Sequence, residues 1–586
     1  MVTNKIVSTF NTADLGRSHF EGWLADRMML NIEKRLLTLD LDMILDPFEH
    51  RPGQQWWAGE HAGKHLHAAT LAWLYAGDDR LKARMSETAA RLIATQLPNG
   101  YLGTYKDSDQ FRQGDGLGWD GPVWDVWTHK YCLIGLLTYY QATRDQSAID
   151  ACRQAADLMY ENYVTKGKSL RLASAHLGMA ATSLLEPMTI LYQETSEPRY
   201  LKFCHRIVDA WEDESDPETW MYEDGCRLLT SLLETGDVYR TANRKAYEML
   251  SNLVGLMTLY RVEPDERYFK ACHNAWNDIA GGRLYITGTA SYFEQFTQDG
   301  RMPPGQAVGE GCVTVTWLQL TRHLFEVTGE MKYADELERT IYNALPAAQS
   351  PLTGEVSYFS PLIGHKDYNG HDVKLIPAIS CCSSSIPRGM AMIPSLVSGA
   401  LRGNPVLLQY TPGVHVLPFG DDASHEVTLR VRGIYPKESD LEVVIASATT
   451  ERFTLALRVP IWAEGFRAHI DGEDISIPET RLIEIDRAWQ TGDIIHIHIP
   501  LDIRVVSHTD ITSDAVAFVR GPQVLATDTA VDGHLPNGNW WGNDLHVHTA
   551  TQGGQEQLFE LVPFADAGQN KEAYAVLHDG IARSEP

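Results

Sequence analysis

Two hydrophobic rhythms divide the chain. From about residue 17 to 402, apolar side chains recur at three- and four-residue spacing, the period of a helix with one buried face. From about Asn404 they recur at every second position, the period of a strand. The first stretch predicts twelve helices, at roughly 17–38, 61–77, 79–96, 125–144, 146–163, 175–195, 197–213, 237–261, 264–280, 307–329, 331–346 and 382–402. One junction returns five times among them. An apolar helix closes on an aromatic residue, a short polar turn follows, and a second amphipathic helix begins. These junctions open at Tyr75, Tyr140, Tyr192, Tyr260 and Phe325, at intervals of 65, 52, 68 and 65 residues, which is room for two helices and two loops. A lone helix pair cannot bury its apolar face, so neighbouring pairs must stack. Six such hairpins with no polar capping repeat predict a closed (α/α)6 toroid rather than an open solenoid. Two long loops, Leu97 to Trp124 and Gly281 to Gln306, are rich in Gly, Asp and aromatics, and long loops in compact domains usually carry function.

Strands are predicted at Pro405–Tyr410, Glu426–Arg432, Phe453–Val459 and Asp493–Ile499, separated by turn residues, which reads as a β-sandwich. The fold class is therefore multidomain α and β: a six-hairpin (α/α)6 toroid over residues 1–403, followed by a β-sandwich region over 404–586. The stretch after about Gly521 either completes the sandwich or forms a small extra β unit. Trp540–Trp541 there reads as surface or interface packing, with a sugar-stacking pair as the alternative.

Composition narrows the function classes. The 586 residues are 44% hydrophobic and 22% charged, an ordinary globular mixture. A net charge of −27, from 77 acidic and 50 basic residues, argues against nucleic acid and against an anionic membrane surface as partners. No segment reaches the roughly 18 apolar residues of a membrane span. The first ten residues carry no apolar signal core, so a cytoplasmic location is expected. Eight cysteines in a chain this long are too sparse for a disulfide scaffold. Cys132, Cys152, Cys204 and Cys272 fall within helical apolar patterns and read as small buried hydrophobes. Cys226 lies in a loop and has no assignment.

Cys312, Cys381 and Cys382 are different. Gly309-Glu310-Gly311-Cys312 opens one predicted helix, and Ser380-Cys381-Cys382 opens the last helix of the toroid. A vicinal disulfide is strained and rare. Thiols at a helix N-terminus ionise more readily, because the helix dipole favours the anion. Three thiolates and a carboxylate, Glu310, Cys312, Cys381 and Cys382, make a closed four-ligand set suited to Zn2+ if the toroid brings them together.

With these residues in view, the chain resembles glycoside hydrolase family 127, the β-L-arabinofuranosidase-like enzymes related to family 146. Glu310-Gly-Cys312, Glu294 sixteen residues earlier and Cys381-Cys382 before a helix carry the resemblance. The runs Trp57-Ala-Gly-Glu60-His61-Ala-Gly-Lys64, Trp127-x-His129-Lys-Tyr131 and Arg520-Gly-Pro522 add to it. It covers most of the chain. It implies a retaining glycosidase in which Cys381 is the nucleophile and Glu294 the general acid and base. By the same resemblance Glu310, Cys312, Cys381 and Cys382 hold zinc, and Trp57, His61, His129 and Tyr358 contact the sugar. The implied partner is an oligosaccharide or other glycoside, with a homodimer as a family expectation.

The sequence also departs from that family. Histidines expected on the next inner helices fall at Ala181 or Thr182 and at Asn252, and a Pro-Pro-Asn-like run after the cysteine pair is Ser383-Ser384-Ser385. The sugar-contacting shell is expected to differ while the catalytic core is kept, leaving the sugar open. Bland readings stand beside the sharp ones. The cysteines could form a purely structural zinc clasp, Glu294 a solvated loop carboxylate, and His129 a satisfied core histidine. His61 and His65, four apart on one helix, could bind metal or line a wall. At the level of the whole protein the alternatives are another (α/α)6 carbohydrate enzyme (uronyl hydrolase, lyase or epimerase) and a non-catalytic sugar-binding protein.

Overall fold

The structure, a computed structural model, describes residues 2–114, 118, 120–212, 226–368, 379–420, 422–450, 452–508, 510, 515–527, 540–541, 546–550, 556–569 and 572–578. Twelve helices build the toroid: α1 (Gly22–Asn31, continued by a π-helical turn to Leu36), α2 (Glu60–Ala76), α3 (Asp79–Ala94), α4 (Asp125–Thr143), α5 (Gln146–Tyr160), α6 (Leu185–Thr195), α7 (Pro198–Trp211), α8 (Ala246–Val262), α9 (Glu266–Gly282), α10 (Gly311–Thr328), α11 (Met331–Tyr342) and α12 (Cys381–Met392). The even-numbered helices form the inner ring. Each packs on the next, and α12 packs back on α2, which closes the circle. Inner helices are buried nearly all round while outer ones such as α3 and α7 keep a polar face, as a ring inside a ring requires. The α2–α4 contact is the tightest. A Cβ on Gly63 would stand 2.0 Å from the Tyr131 carbonyl oxygen, so only glycine lets these backbones touch.

Among the described residues three sheets follow. A five-stranded sheet joins Phe10–Thr12, Ser398–Leu401, Asn404–Leu407, Arg452–Arg458 and Leu482–Ala488 in that order. A seven-stranded sheet runs from Glu473–Asp474 to His19–Phe20 and contains Gly413–Phe419, His425–Arg432 and Asp440–Ala448. Their inner faces share one apolar core with the toroid. A third sheet takes in Ile363–Gly364 and then resumes at Ile503–Ser507, earlier than the expected extra unit, and its core includes Tyr285, Met302, Val308 and Leu362 from the first part of the chain.

Several sequence expectations are corrected. The helix expected over 382–402 ends at Met392. A 3-10 turn follows, and Ser398–Leu401 is a strand, because an unbroken apolar run suits a buried strand as well as a helix. The helix expected from 237 starts at Ala246. The one expected over 175–195 breaks into Met179–Thr182 and α6. Helices Leu41–Glu49 and Leu228–Glu234 were not anticipated. The amino-terminal residues 10–12 and 19–20 belong to the sheets, so the division at 403 does not separate the chain into two independent pieces. Trp540–Trp541 forms a strand, and its side chains lie outside the described residues. Among the described residues no helix is long and apolar enough to cross a membrane.

Candidate active site and metal centre

The chemistry-bearing residues gather where inner helices begin. Glu310 immediately precedes α10 and Cys312 is its second residue. Cys381 and Cys382 open α12. Gly311 allows the two helix starts to meet. A Cβ there would lie 2.9 Å from the Ile386 side chain and 3.2 Å from Cys382 Cβ. As a result Cys312 Sγ is 3.6 Å from Cys382 Sγ, Cys381 Sγ is 3.8 Å from Cys382 Sγ, and Cys381 Sγ is 3.9 Å from Glu310 Oε1. One ligand atom from each of the four residues lies within 4.8 Å of the others.

These separations fit a tetrahedral ion. At an ordinary Zn–S length the edge between two sulfurs is about 3.8 Å. The charges fit too. Burial, then the hydrogen bonds to Cys312 and to Cys381, push the Cys382 thiol well above its ordinary value. The Cys381 thiol is also held up, first by its hydrogen bond to Cys312. Burial and then the Glu294 charge raise the Glu310 carboxyl. Only Cys312 is drawn down, to about 6: burial opposes this, and the S–H donors of Cys381 and Cys382 outweigh it. Four such groups ionise together only around a cation, and a sulfur-rich set selects a thiophilic one. Glu310 Oε2 is buried and makes no hydrogen bond.

Of the three sulfurs only Cys381 is partly open to solvent. Its Sγ is 3.4 Å from the Tyr358 hydroxyl, and that hydroxyl donates to Glu294 Oε1. Tyr358 is fixed from the other side, since its carbonyl accepts the Gly311 N–H at 3.0 Å. Glu294 sits in a tight loop with left-handed backbone at Phe293 and Glu294 (φ 47° and 63°), and its carbonyl accepts the Ala246 N–H at the start of α8. Its Oε2 is ion-paired with Lys245. Burial would raise this carboxyl, but Lys245 and the Tyr358 hydroxyl hold it below the ordinary carboxylate range.

The serine run after the cysteines has a local logic. Ser380 and Ser383 form a reciprocal cap at the start of α12. Ser384 Oγ meets His61 Nδ1 at 2.9 Å, and Ser385 Oγ lies 3.1 Å from Cys312 Sγ. His61 thus supports the wall behind the sulfurs. Burial pulls its pKa down to about 4, so it is neutral at pH 7. His65 lies outside the single metal-capable group found among the described residues.

His129 is held by the backbone around it. It is fully buried, its Nε2 accepts the Leu102 N–H and its Nδ1 donates to the Asp125 carbonyl, so both ring nitrogens serve the fold. Trp57 is half-buried with its edge on Trp124, which in turn meets His176 edge-on at 5.9 Å. Thr182 and Asn252, where family histidines were sought, lock each other instead: Asn252 Oδ1 accepts from Thr182 Oγ1 and Trp211 Nε1. The groups beside Glu294 are Lys245, His176 and Glu248, with His176 Nε2 3.7 Å from Glu248 Oε1. Sequence reading missed all three. The available signal was a pair of charges, Lys245 and Glu248, at the head of an almost wholly apolar helix. It also quoted Glu60 and Lys64 only as part of a motif, although they form a fully buried ion pair against Cys381.

Residues 18–395 match the family described as β-L-arabinofuranosidase, GH127 catalytic domain, and residues 418–501 match its middle domain. A non-reducing end β-L-arabinofuranosidase of Bifidobacterium longum subsp. longum is 23% identical over 510 residues, covering 79% of this chain and 74% of that protein. Two solved structures share the fold. A GH127 β-arabinofuranosidase superposes with a TM-score of 0.80 at 18% identity over 98% of each chain. A GH127 β-L-arabinofuranosidase from Geobacillus stearothermophilus T6 superposes at 0.77 and 17% identity, over 96% of this chain and 100% of the other.

Proposed function

The chain belongs to the GH127 β-L-arabinofuranosidase family of glycoside hydrolases, and from that premise we propose a retaining, exo-acting enzyme. It removes a terminal β-L-arabinofuranosyl or related furanosyl or deoxy sugar from plant-derived oligosaccharides; the name of the bifidobacterial relative, a non-reducing end β-L-arabinofuranosidase, supports the first of these sugars. The observation that carries the reading is the Tyr358 hydroxyl, in contact with both Cys381 Sγ and Glu294 Oε1. The two contacts hold nucleophile and acid no more than about 6 Å apart, close to the spacing of retaining pairs.

In the first step Cys381 Sγ gives an electron pair to the anomeric carbon. The glycosidic C–O bond breaks, and Glu294 delivers its proton to the departing oxygen. In the second step Glu294, now a carboxylate, takes a proton from water. The water oxygen bonds to the anomeric carbon, the C–S bond breaks, and the thiolate returns. Lys245 favours the carboxylate form that this second step uses. Tyr358 orients Glu294 and keeps it beside the sulfur. Glu310, Cys312, Cys381 and Cys382 would hold Zn2+. A bound zinc ion would keep the sulfurs ionised at neutral pH and fix the direction of Cys381.

The test is a panel of aryl glycosides, furanosides and pyranosides, assayed with wild type and Cys381→Ala side by side while zinc content is measured. Wild type should release aryl alcohol from one furanoside, and Cys381→Ala should fall by at least about 10³-fold. Undiminished turnover in the variant would remove Cys381 from the chemistry.

A further inference from the structure

We propose that His176 and Glu248 clamp one hydroxyl of the bound sugar between an N–H donor and a carboxyl acceptor, and so help to decide which sugars the site accepts. This rests on the reading of Glu294 and Cys381 given above and adds two specificity-determining residues to it. Glu248 is the third residue of α8 and is 2% exposed. Its Oε2 is buried and makes no hydrogen bond. Lys245 Nζ stands 3.9 Å from that oxygen and is engaged by Glu294 instead. The fold thus buries a carboxyl group beside the proposed acid and leaves it short of partners, which is costly for a group with no further use.

His176 faces the other oxygen. Its Nδ1 accepts from Asn243 Nδ2 at 3.2 Å, which leaves the proton of the neutral ring on Nε2. Burial, then the Lys245 charge, pull the ring's pKa down to about 3, so it is neutral at pH 7. Nε2 lies 3.7 Å from Glu248 Oε1. That is too far for a hydrogen bond between them and close enough for one hydroxyl oxygen to reach both. The backbone that aims this ring is strained. His176 and Leu177 are both left-handed, at φ 59° and 57°, ahead of Gly178 at 85°. Strain at two successive residues with side chains is typical of segments that hold a ligand-binding group in place. A hydroxyl seated in the gap accepts from His176 Nε2 and gives its own proton to Glu248. An ether oxygen or a deoxy carbon at that position cannot do both, and leaves buried polar groups unpaired.

The experiment measures kcat/KM for wild type, Glu248→Gln and His176→Asn on 4-nitrophenyl β-L-arabinofuranoside and on its 2-deoxy, 3-deoxy and 5-deoxy analogues, with melting temperature recorded in parallel. Asparagine tolerates left-handed backbone but is too short to reach the gap, so His176→Asn keeps the test open if Glu248→Gln does not fold. Each variant should lose about 10- to 100-fold on the parent glycoside, the worth of a hydrogen bond to a charged or buried partner. On the one analogue that lacks the clamped hydroxyl, wild type and variants should agree within about threefold, because the interaction is already gone. A loss of equal size on all three analogues means that the pair acts on the fold or through Lys245, and overturns the proposal. Undiminished turnover of the parent by both variants overturns it as well. A wild type that leaves the parent intact overturns the arabinofuranosyl reading and this inference with it, whereas turnover without the expected coupling overturns this inference alone.

Discussion

At the scale of single residues, the decisive contrast lies between the two carboxylates of the site. Glu310 is raised by burial and by the Glu294 charge, while Glu294 is held down by Lys245 and Tyr358. An acid catalyst must carry a proton in the free enzyme. A lowered Glu294 therefore places the basic limb of the kcat/KM profile at low pH, since protonated enzyme is lost as pH rises through that value. Replacing Lys245 by Met removes the charge that lowers it, so the limb should move to higher pH, by about one unit or more. The pH dependence of kcat/KM on an aryl glycoside checks this, and an unmoved limb would mean that Glu294 is not the proton donor. Residue identity was legible in the sequence where chemistry leaves a rare signature. Adjacent cysteines at a helix start and Glu-x-Cys at another were enough to name four residues that the fold does bring together. The backbone partners of His129 were not legible, because a histidine on an inner helix looks the same in sequence whether its nitrogens face a ligand or two backbone groups. Lys64 and Glu60 carried no signal of their burial, because an i,i+4 charge pair usually marks a solvated face and only the ring places it inside.

At the scale of elements, α12 is the one on which the site depends most, and it is built against helix propensity. Pro387 lies within it and has no N–H, so the Ser383 carbonyl has no partner inside the helix. Arg35, on the π-helical extension of α1, supplies the missing donors: its Nε and Nη2 reach Ser383 O at 3.2 and 3.0 Å. Asn31 on α1 adds a bond to the Pro387 carbonyl at 3.1 Å. The outer helix therefore clamps the cysteine-bearing turn through the backbone. Arg35→Met should leave a buried carbonyl unsatisfied and cost about 1–3 kcal/mol. Part of that cost should appear as misalignment of Cys381, so kcat should fall more than KM rises, which denaturant melts and steady-state kinetics would separate. The end of α12 also shows where periodicity runs out. Met390 to Leu401 is apolar almost throughout and buried on every side, so neither the 3.6 nor the 2.0 period is visible in it. The amphipathic outer helices had no such ambiguity, and their expected spans hold to within a few residues, as in α3 and α11.

At the scale of the whole molecule, toroid and sheets are fastened by polar groups as well as by apolar area. Arg458, in a sandwich strand and fully buried, bonds to Asp335 Oδ1 at 2.7 Å and pairs with Glu338, both on α11. Arg481 takes the other oxygen of Asp335 at 2.7 Å, and Trp462 Nε1 donates to Glu338 Oε2 at 2.8 Å. From the other side, Phe10–Thr12 is the edge strand beside Ser398–Leu401, and Thr9 donates its N–H to the Glu326 carbonyl near the end of α10. A chain cut after residue 403 would keep every ligand of the proposed metal site and all twelve toroid helices. It would also leave Asp335 and Glu338 without their buried cations and Ser398–Leu401 with one neighbour instead of two. An unpaired buried carboxylate costs about 3–5 kcal/mol, which is a large fraction of a typical domain's stability. The shortened chain should therefore be poorly soluble or melt well below the full chain. Arg458→Met in the full chain should reproduce much of that loss while leaving the sulfur cluster in place. Calorimetry of the two, with zinc content measured on each, distinguishes the cases. A shortened chain that melts with the full protein would show that the helical ring carries its own stability and that the sheets serve another purpose.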